Sequence, residues 1–592
     1  MPEHNESSPH AQGVAALENP VAPSIAYFSM EIAVEPTMPT YSGGLGMLAG
    51  DTLRAAADTG APIVAVTLLH RKGYFHQHLN AEGVQTESDE PWTPEAVLER
   101  LEPVVAITLQ NRPVLVRAWR HEIRGVDGQV VPVIFLDTDV EPNDAWDRQF
   151  TDHLYGGDTY YRLCQEAVLG MGGQKMLAAL GYSIQVFHMN EGHASLLTLS
   201  LLEERTNGRG LSAATEDDAH AVRQMCVFTT HTPVPAGHDR FSMEQTRQIL
   251  GEERAEVLQR FGCCPEGQLN MTYVALHFSR YVNGVAMQHG KVSQQMFPGY
   301  AVHAITNGVH AATWIAAPLK KLLDEKIPEW RRDNQYLRFA IGLSANDVEQ
   351  CHRTSKRALL DAVAQRTGVQ LDERRFTLGF ARRAASYKRA DLLFSNPHRL
   401  LQIAGECGGL QILYGGKAHP HDEPGKAIIR KVIEEAASLN AQALKVIYLE
   451  NYEWELGALL TSGCDLWLNT PRRPYEASGT SGMKAAMNGV PSLSTLDGWW
   501  IEGCIEGATG WSIVESDEEE MEAESLYDKL AVEILPLYYR YPARWKEIMR
   551  LTLAVNGAFF NTQRMLHQYL TNAYFPSDGS SQWIDQPELT LA

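Results

Sequence analysis

The chain has 592 residues and carries 51 Lys plus Arg against 72 Asp plus Glu, a formal net charge of -21. At roughly 100–200 residues per domain it can bury two large cores, and its acidic balance argues against nonspecific binding to nucleic acid or an anionic membrane, so an anionic ligand needs a local basic pocket. Its eight cysteines include no CxxC pair and resemble neither a disulfide scaffold nor a structural zinc site.

The polar start MPEHNESSPHAQG lacks a secretory pattern, and no later run approaches the roughly 20 apolar residues of a membrane helix. A soluble cytoplasmic protein is expected, with a flexible lead over residues 1–22. SIAYFSMEIA then reads as a buried strand, and YSGGLGMLAGDTLRAAADTGAPIVAVTLL runs from a glycine turn through a helix into a second strand. The stretches VVAITLQNRPVLVRAWRHEIRG and VVPVIFLDTD predict strands, DTYYRLCQEAVLGMGGQKMLAALG predicts a helix, and SIQVFHMNEGHASLLTLSLLEE predicts strand, turn and helix. The first part is therefore α/β with a β-rich insertion. A polar turn near AITNGVHAATW marks the expected domain junction. Beyond it FTLGFARRAASYKR, LQILYGGKAHPHDEPGKAIIRKVIEEA, ALKVIYLENYEWELGALL and CDLWLNTPRRPYEASGTSGMK each place a strand before a polar turn or helix, the pattern of a doubly wound sheet. The acidic run near 518–524 reads as a solvated helix face.

Several segments carry chemistry. Gly43, Gly44 and Gly46 let backbone approach an anion, or simply form a tight turn. Arg382, Arg383, Lys388 and Arg389 concentrate charge suited to phosphate, or to a helix surface. Asp137, Asp139, Glu191, His193 and His231 stand at expected sheet edges, for sugar hydroxyls or internal pairing. His70, His76, His78, His419 and His421 lack a complete ligand set, so no metal is assigned. Lys484 lies among small residues just after a helix N-terminal turn; it is either a surface lysine or one whose burial is relieved by covalent chemistry.

Taken in order, YSGGLGMLAGD, THTPVPAG, YVNGVAMQHG, AITNGVH, FARRAASYKR, GGKAHP, YLENYEWELG and EASGTSGMKAAMNG resemble the alpha-glucan phosphorylase family across most of residues 24–510. That resemblance implies a GT-B fold, two Rossmann-like domains around a deep cleft. The expected spans are 23–312 with the β-rich insertion, 313–535 for the cofactor-binding domain, and 536–592 as helices packing back across both. It implies pyridoxal 5'-phosphate attached to Lys484, with Arg382, Thr480, Ser481, Gly482 and Gly44 around the cofactor. It places substrate phosphate at Gly43, Gly44, Arg383 and Lys388, and the sugar at His231, Asn307, Tyr452, Glu476, Ala477, Ser478 and Gly479. Lys484, Arg383 and Lys388 carry the implied catalysis: phosphorolysis of an alpha-1,4-glucan by inorganic phosphate to glucose 1-phosphate, with retention. The resemblance implies a homodimer, and because the chain is shorter than the large family members, without an obvious counterpart to their N-terminal regulatory extension, allosteric regulation is not expected. The sequence departs from the family where Ala385 and Ser386 replace a usual His-Glu pair, and around HMNEGHA and THTPVPAG. A nucleotide-sugar glycosyltransferase and a noncatalytic glucan-binding homologue are the alternatives.

Overall fold

The computed structural model describes residues 22–234 and 237–576, so most of the expected N-terminal lead and the last sixteen residues lie outside the described residues. The first half is built on a nine-stranded sheet: β1 (Ile25–Ser29), β2 (Ile63–Leu68), β3 (Glu99–Leu109), β4 (Arg112–Arg124), β5 (Val130–Asp137), β6 (Val186–Asn190), β7 (Cys226–Thr229), β8 (Tyr281–Gly284) and β9 (His303–Ala304). Its order is β9-β8-β7-β6-β1-β2-β5-β4-β3. Seven strands run parallel, and the β-rich stretch adds β4 and β3 antiparallel at one edge. β1 and β2 are buried along their whole length, as strands covered on both faces must be. Helix α1 (Gly44–Thr59) joins them and stops at Gly60, whose φ of 67° suits glycine.

The second half carries β10 (Phe376–Ala381), β11 (Leu410–Gly415), β12 (Leu444–Leu449), β13 (Leu466–Asn469), β14 (Ser492–Thr495) and β15 (Gly510–Ile513). All are parallel, in the order β12-β11-β10-β13-β14-β15. The chain winds outward from β10 in one direction, then returns to β13 and winds the other way. Between β10 and β13 two successive connections leave the sheet on opposite sides, which opens a crevice at the carboxyl ends of those strands.

Residues 311–367 are mainly helical and pack on the second half: α2 (Ala345–Thr367) buries Leu359 and Val363 against Leu456, Leu460 and Cys464. The last described helices return to the first half. α5 (Thr562–Gln568) is reached after α3 (Trp454–Gly463) and α4 (Thr480–Ala486), and its Met565 and Leu566, with Tyr569 and Tyr574 beyond, share a core with β1 and α1. Tyr569 Oη accepts from Asn283 Nδ2 at 3.0 Å and lies 3.1 Å from Thr229 Oγ1.

The helix expected over 158–181 is interrupted. Its α-helical parts, Thr159–Ala167 and Gly173–Ala179, flank a π-helical turn at Val168–Gly172. There a Cβ on Gly170 would stand 2.5 Å from the Leu197 nitrogen, so the helix widens where it meets another backbone.

Candidate active site

The polar groups of the second sheet converge at its crevice. Arg382 follows β10, and Glu476 lies in the loop between β13 and α4. Their side chains form a buried ion pair with Nη2–Oε2 at 2.6 Å, and Lys388 Nζ approaches the same oxygen at 3.4 Å. Burial alone would raise the Glu476 carboxyl, but Arg382 and then Lys388 outweigh it and hold the group below the usual carboxylate range. The Glu476 N–H donates to Asp497 Oδ2 at 2.9 Å, while burial pushes the Asp497 carboxyl up to about 6. Arg382 Nε and Nη1 and Ser478 Oγ are buried without a hydrogen-bond partner among the described residues. They border a narrow crevice between Glu476, Asp497 and Trp499, with an accessible volume of about 10 Å³. One carboxylate is thus shared by two cations, and one guanidinium keeps two donors for a further anion.

Lys484 is buried on α4, within one turn of that loop. Its Nζ sits 3.7 Å from the centre of the Trp314 ring and, among the described residues, makes no hydrogen bond. Burial lowers its pKa to about 8, and the charge of Asp51 opposes that shift. Asp51 belongs to α1 in the first half and accepts from Trp314 Nε1 at 2.6 Å. The lysine therefore stands where both halves meet. The small residues around it have a steric reason: a Cβ on Gly482 would come 2.7 Å from Trp499 Cζ2, and Gly479 adopts φ 89°. Ser481 Oγ accepts from Trp467 Nε1 at 3.1 Å, whereas Thr480 makes no such side-chain contact among the described residues.

The first sheet presents a different edge. The glycine turn is anchored by Glu31, which follows β1: its Oε2 accepts from Ser42 N at 2.5 Å and Gly43 N at 3.2 Å, and its Oε1 from Tyr155 Oη at 2.9 Å. Cβ positions on Gly43 and Gly44 would meet nothing within 4 Å, so the turn borders open space, whereas a Cβ on Gly46 would stand 2.7 Å from Glu31 Oε2. His231 Nε2 donates to Asn190 Oδ1 at 2.7 Å, and its backbone N–H to Glu191 Oε2 at 2.7 Å. Burial drives its pKa down to about 3, which keeps the ring neutral near pH 7. Asn307 is buried with Oδ1 unpartnered among the described residues, and its backbone carbonyl accepts from Arg564 at 2.9 Å.

Of the residues expected at the site, Arg382, Lys388, Glu476, Ser478 and Gly479 come together directly. Arg383 departs from Lys388 instead: it is exposed and lies near Tyr387 and the first-half Tyr74. Tyr452 packs over Gly457, and Ala477 is half-buried beside Glu476. Arg389 turns inward to Thr470 O, Pro471 O and Glu522, a structural role. Asp137, Asp139 and His193 pair internally with Arg71, Arg148 and Asp239. Trp499 and Trp500 are both buried; only Trp499 borders the narrow crevice. Sequence reasoning missed Glu31, Asp51, Trp314 and Asp497, although the first two flank the glycine turn.

A model of the carbohydrate phosphorylase family matches residues 238–573. Maltodextrin phosphorylase of Thermococcus litoralis is 36% identical over 93% of this chain and 70% of its own length. Glycogen phosphorylase of Mycobacterium tuberculosis is 37% identical, over 95% of this chain and 72% of its own. An uncharacterized protein of Methanocaldococcus jannaschii is 30% identical across 93% of this chain and 99% of its length.

Proposed function

The chain belongs to the carbohydrate phosphorylase family, and from that premise we propose that it is an alpha-1,4-glucan phosphorylase acting on maltodextrin or glycogen. Inorganic phosphate cleaves the nonreducing-end bond reversibly, releasing glucose 1-phosphate with retained configuration. The observation that carries this reading is a buried Lys484 with no hydrogen-bonding partner among the described residues, adjoining a loop where Arg382 and Lys388 share one carboxylate. We read the two sheets as the Rossmann-like halves of a GT-B fold, with spans near 23–312 and 313–535 and the cleft between their carboxyl edges.

The residues fit pyridoxal phosphate. Lys484 offers an amine whose pKa is already depressed by burial, and the Arg382 donors left unpartnered among the described residues suit phosphate oxygens. When bound through Lys484, the cofactor supplies a phosphate group for proton exchange with substrate phosphate. Thr480, Ser481, Gly482 and Gly44 would border it.

The chain's own residues supply placement and charge. Arg382 and Lys388 concentrate positive charge where phosphate must lie beside a developing oxocarbenium ion, and Arg383 adds a movable cation from the solvent side. Gly43 and Gly44 let the first half close over the anion without side-chain bulk. Glu476 holds Arg382 and Lys388 in register and, with Ala477, Ser478 and Gly479, faces the sugar. His231, oriented by Asn190 and kept neutral by burial, hydrogen-bonds without bringing charge to the glucosyl unit. Asn307 and Tyr452 complete the sugar contacts. Such fixed donors and charges stabilise a charge-separated transition state because they need not reorganise when it forms.

The test combines binding and turnover. Protein purified with pyridoxal phosphate is expected to give a borohydride-reducible adduct at Lys484 and phosphate-dependent glucose 1-phosphate from maltodextrin. Lys484→Ala should lose the stoichiometric adduct and at least about 10³-fold of the rate. Absence of both adduct and product in folded protein would sink the proposal. An adduct without product would favour the noncatalytic homologue, and turnover of a nucleotide sugar in place of phosphate would favour the other transferase class.

A further inference from the structure

Far from Lys484 in sequence and role, three metal-binding side chains meet across the two halves. His76 and His78 lie on the strand His76–Leu79, which pairs antiparallel with Gln85–Ser88. Alternate residues of a strand share a face, and the two imidazole centroids stand 4.8 Å apart. Glu450 follows β12 in the second half. One potential ligand atom from each residue lies within 4.8 Å of the other two.

The backbone beneath them is fixed. Gln77 N donates to Asn451 Oδ1 at 3.1 Å, Asn451 N returns a bond to Gln77 Oε1 at 2.9 Å, and Leu79 N donates to Glu450 Oε2 at 3.2 Å. Gln77 and Gln85 also donate to the carbonyls of Gly416 and Ala418. The ribbon is thus pinned to the carboxyl edge of β11 and β12 by neighbours of the three candidate ligands.

We propose that His76, His78 and Glu450 form a binding site for a divalent transition-metal ion, zinc by chemical class, that ties the first half to the second. Two imidazoles and one carboxylate suit Zn²⁺ better than Ca²⁺ or Mg²⁺, which favour all-oxygen shells. Zinc bonds of about 2.0–2.2 Å require the ligand atoms to close by roughly 1.5 Å, with water in the fourth position. His78 and Glu450 are exposed, each held by a single side-chain hydrogen bond among the described residues. The His76 lone pair faces the Asn451 amide, its Nδ1 3.1 Å from Nδ2, so coordination exchanges one hydrogen bond for a metal bond. His78 Nε2 is engaged with Ser88 Oγ at 2.9 Å, which leaves its other nitrogen for the metal.

The test uses the full chain with its cofactor, stripped by a chelator and dialysed against Zn²⁺ alone, then against Co²⁺ as a spectroscopic probe. The expected result is one equivalent per chain, a four-coordinate Co²⁺ spectrum, and a melting temperature raised by roughly 3 °C or more at saturation. Glu450→Gln keeps an oxygen for the Leu79 N–H but removes the charge, and His78→Gln removes one nitrogen. Each should weaken binding at least about tenfold and abolish the metal-dependent melting shift, with the metal-free melt unchanged. Substoichiometric binding, or a Glu450→Gln protein that binds as wild type does, would overturn the proposal; the second result would reduce the site to a surface histidine pair confined to one half.

Discussion

Two buried carboxylates, one at each sheet edge, are neutralised in opposite ways. Glu31 accepts hydrogen bonds from Ser42 N, Ser42 Oγ, Gly43 N and Tyr155 Oη, all neutral donors. Glu476 is held mainly by the cations Arg382 and Lys388. A carboxylate bound by loop N–H groups fixes backbone. One bound by cations shares them, and an incoming anion can compete for the same charges. The first edge therefore sets a shape and the second sets a field, and phosphorolysis needs both where the halves meet.

The largest effect should follow damage to the field. Arg382→Ala removes the two unpartnered donors together with the Glu476 pair, and phosphorolysis should fall roughly 10²- to 10³-fold at saturating glucan. Arg382→Lys keeps the charge without the planar fork and should recover only part of that loss. Equal rates for the two variants would show that the fork is dispensable and that charge alone matters.

The next effect is in pH. Lys484 titrates near 8 because burial penalises its charged form. Attachment of pyridoxal phosphate to cofactor-free protein should accelerate about tenfold per pH unit up to 8 and then level off, whereas an exposed lysine would keep accelerating toward about 10.4. Linkage has the matching sign: between pH 8 and the unfolded value the unfolded chain holds a proton that the cofactor-free native state has lost, so stability rises with pH there. Lys484→Met should erase that rise in denaturant titrations. A reconstitution rate still climbing above pH 9 would place Lys484 in water.

What sequence could reveal followed from local pattern. Each strand and polar turn of the second sheet is a contiguous apolar run followed by glycine or charge, so the doubly wound pattern was legible, whereas Arg382, Lys388 and Glu476 were brought to one site only by the family resemblance. The surroundings of Lys484 were not, because Trp314 and Asp51 reach it from 170 and 433 positions away. The same limit hid Glu450 from His76 and His78, which looked like an incomplete ligand set. The family resemblance groups Arg383 with Lys388 at substrate phosphate, but successive residues after β10 diverge, and of the two arginines only Arg382 enters the buried pair with Glu476. The π-helical turn at Val168–Gly172 depends on how closely Gly170 approaches Leu197, a tertiary contact without local signature.

The smallest catalytic effect, and the most direct check on the contrast between the two carboxylates, should come from Glu31→Gln. The replacement keeps one carbonyl oxygen for Ser42 N and Gly43 N, and the hydroxyls of Ser42 and Tyr155 can turn to accept from the new amide. The count of contacts survives while the charge-assisted strength is lost, so stability should drop by about 1–3 kcal/mol. A lower denaturant midpoint would report that loss. The rate should stay within a few-fold of wild type, because no cation at the second edge changes. Glu476→Gln should invert the pattern, weakening turnover far more than the midpoint, since it frees Arg382 and Lys388 from their shared counter-charge. If Glu31→Gln instead impaired turnover as strongly as Glu476→Gln, the first edge would contribute charge as well as shape, and the division between the two carboxylates would fail.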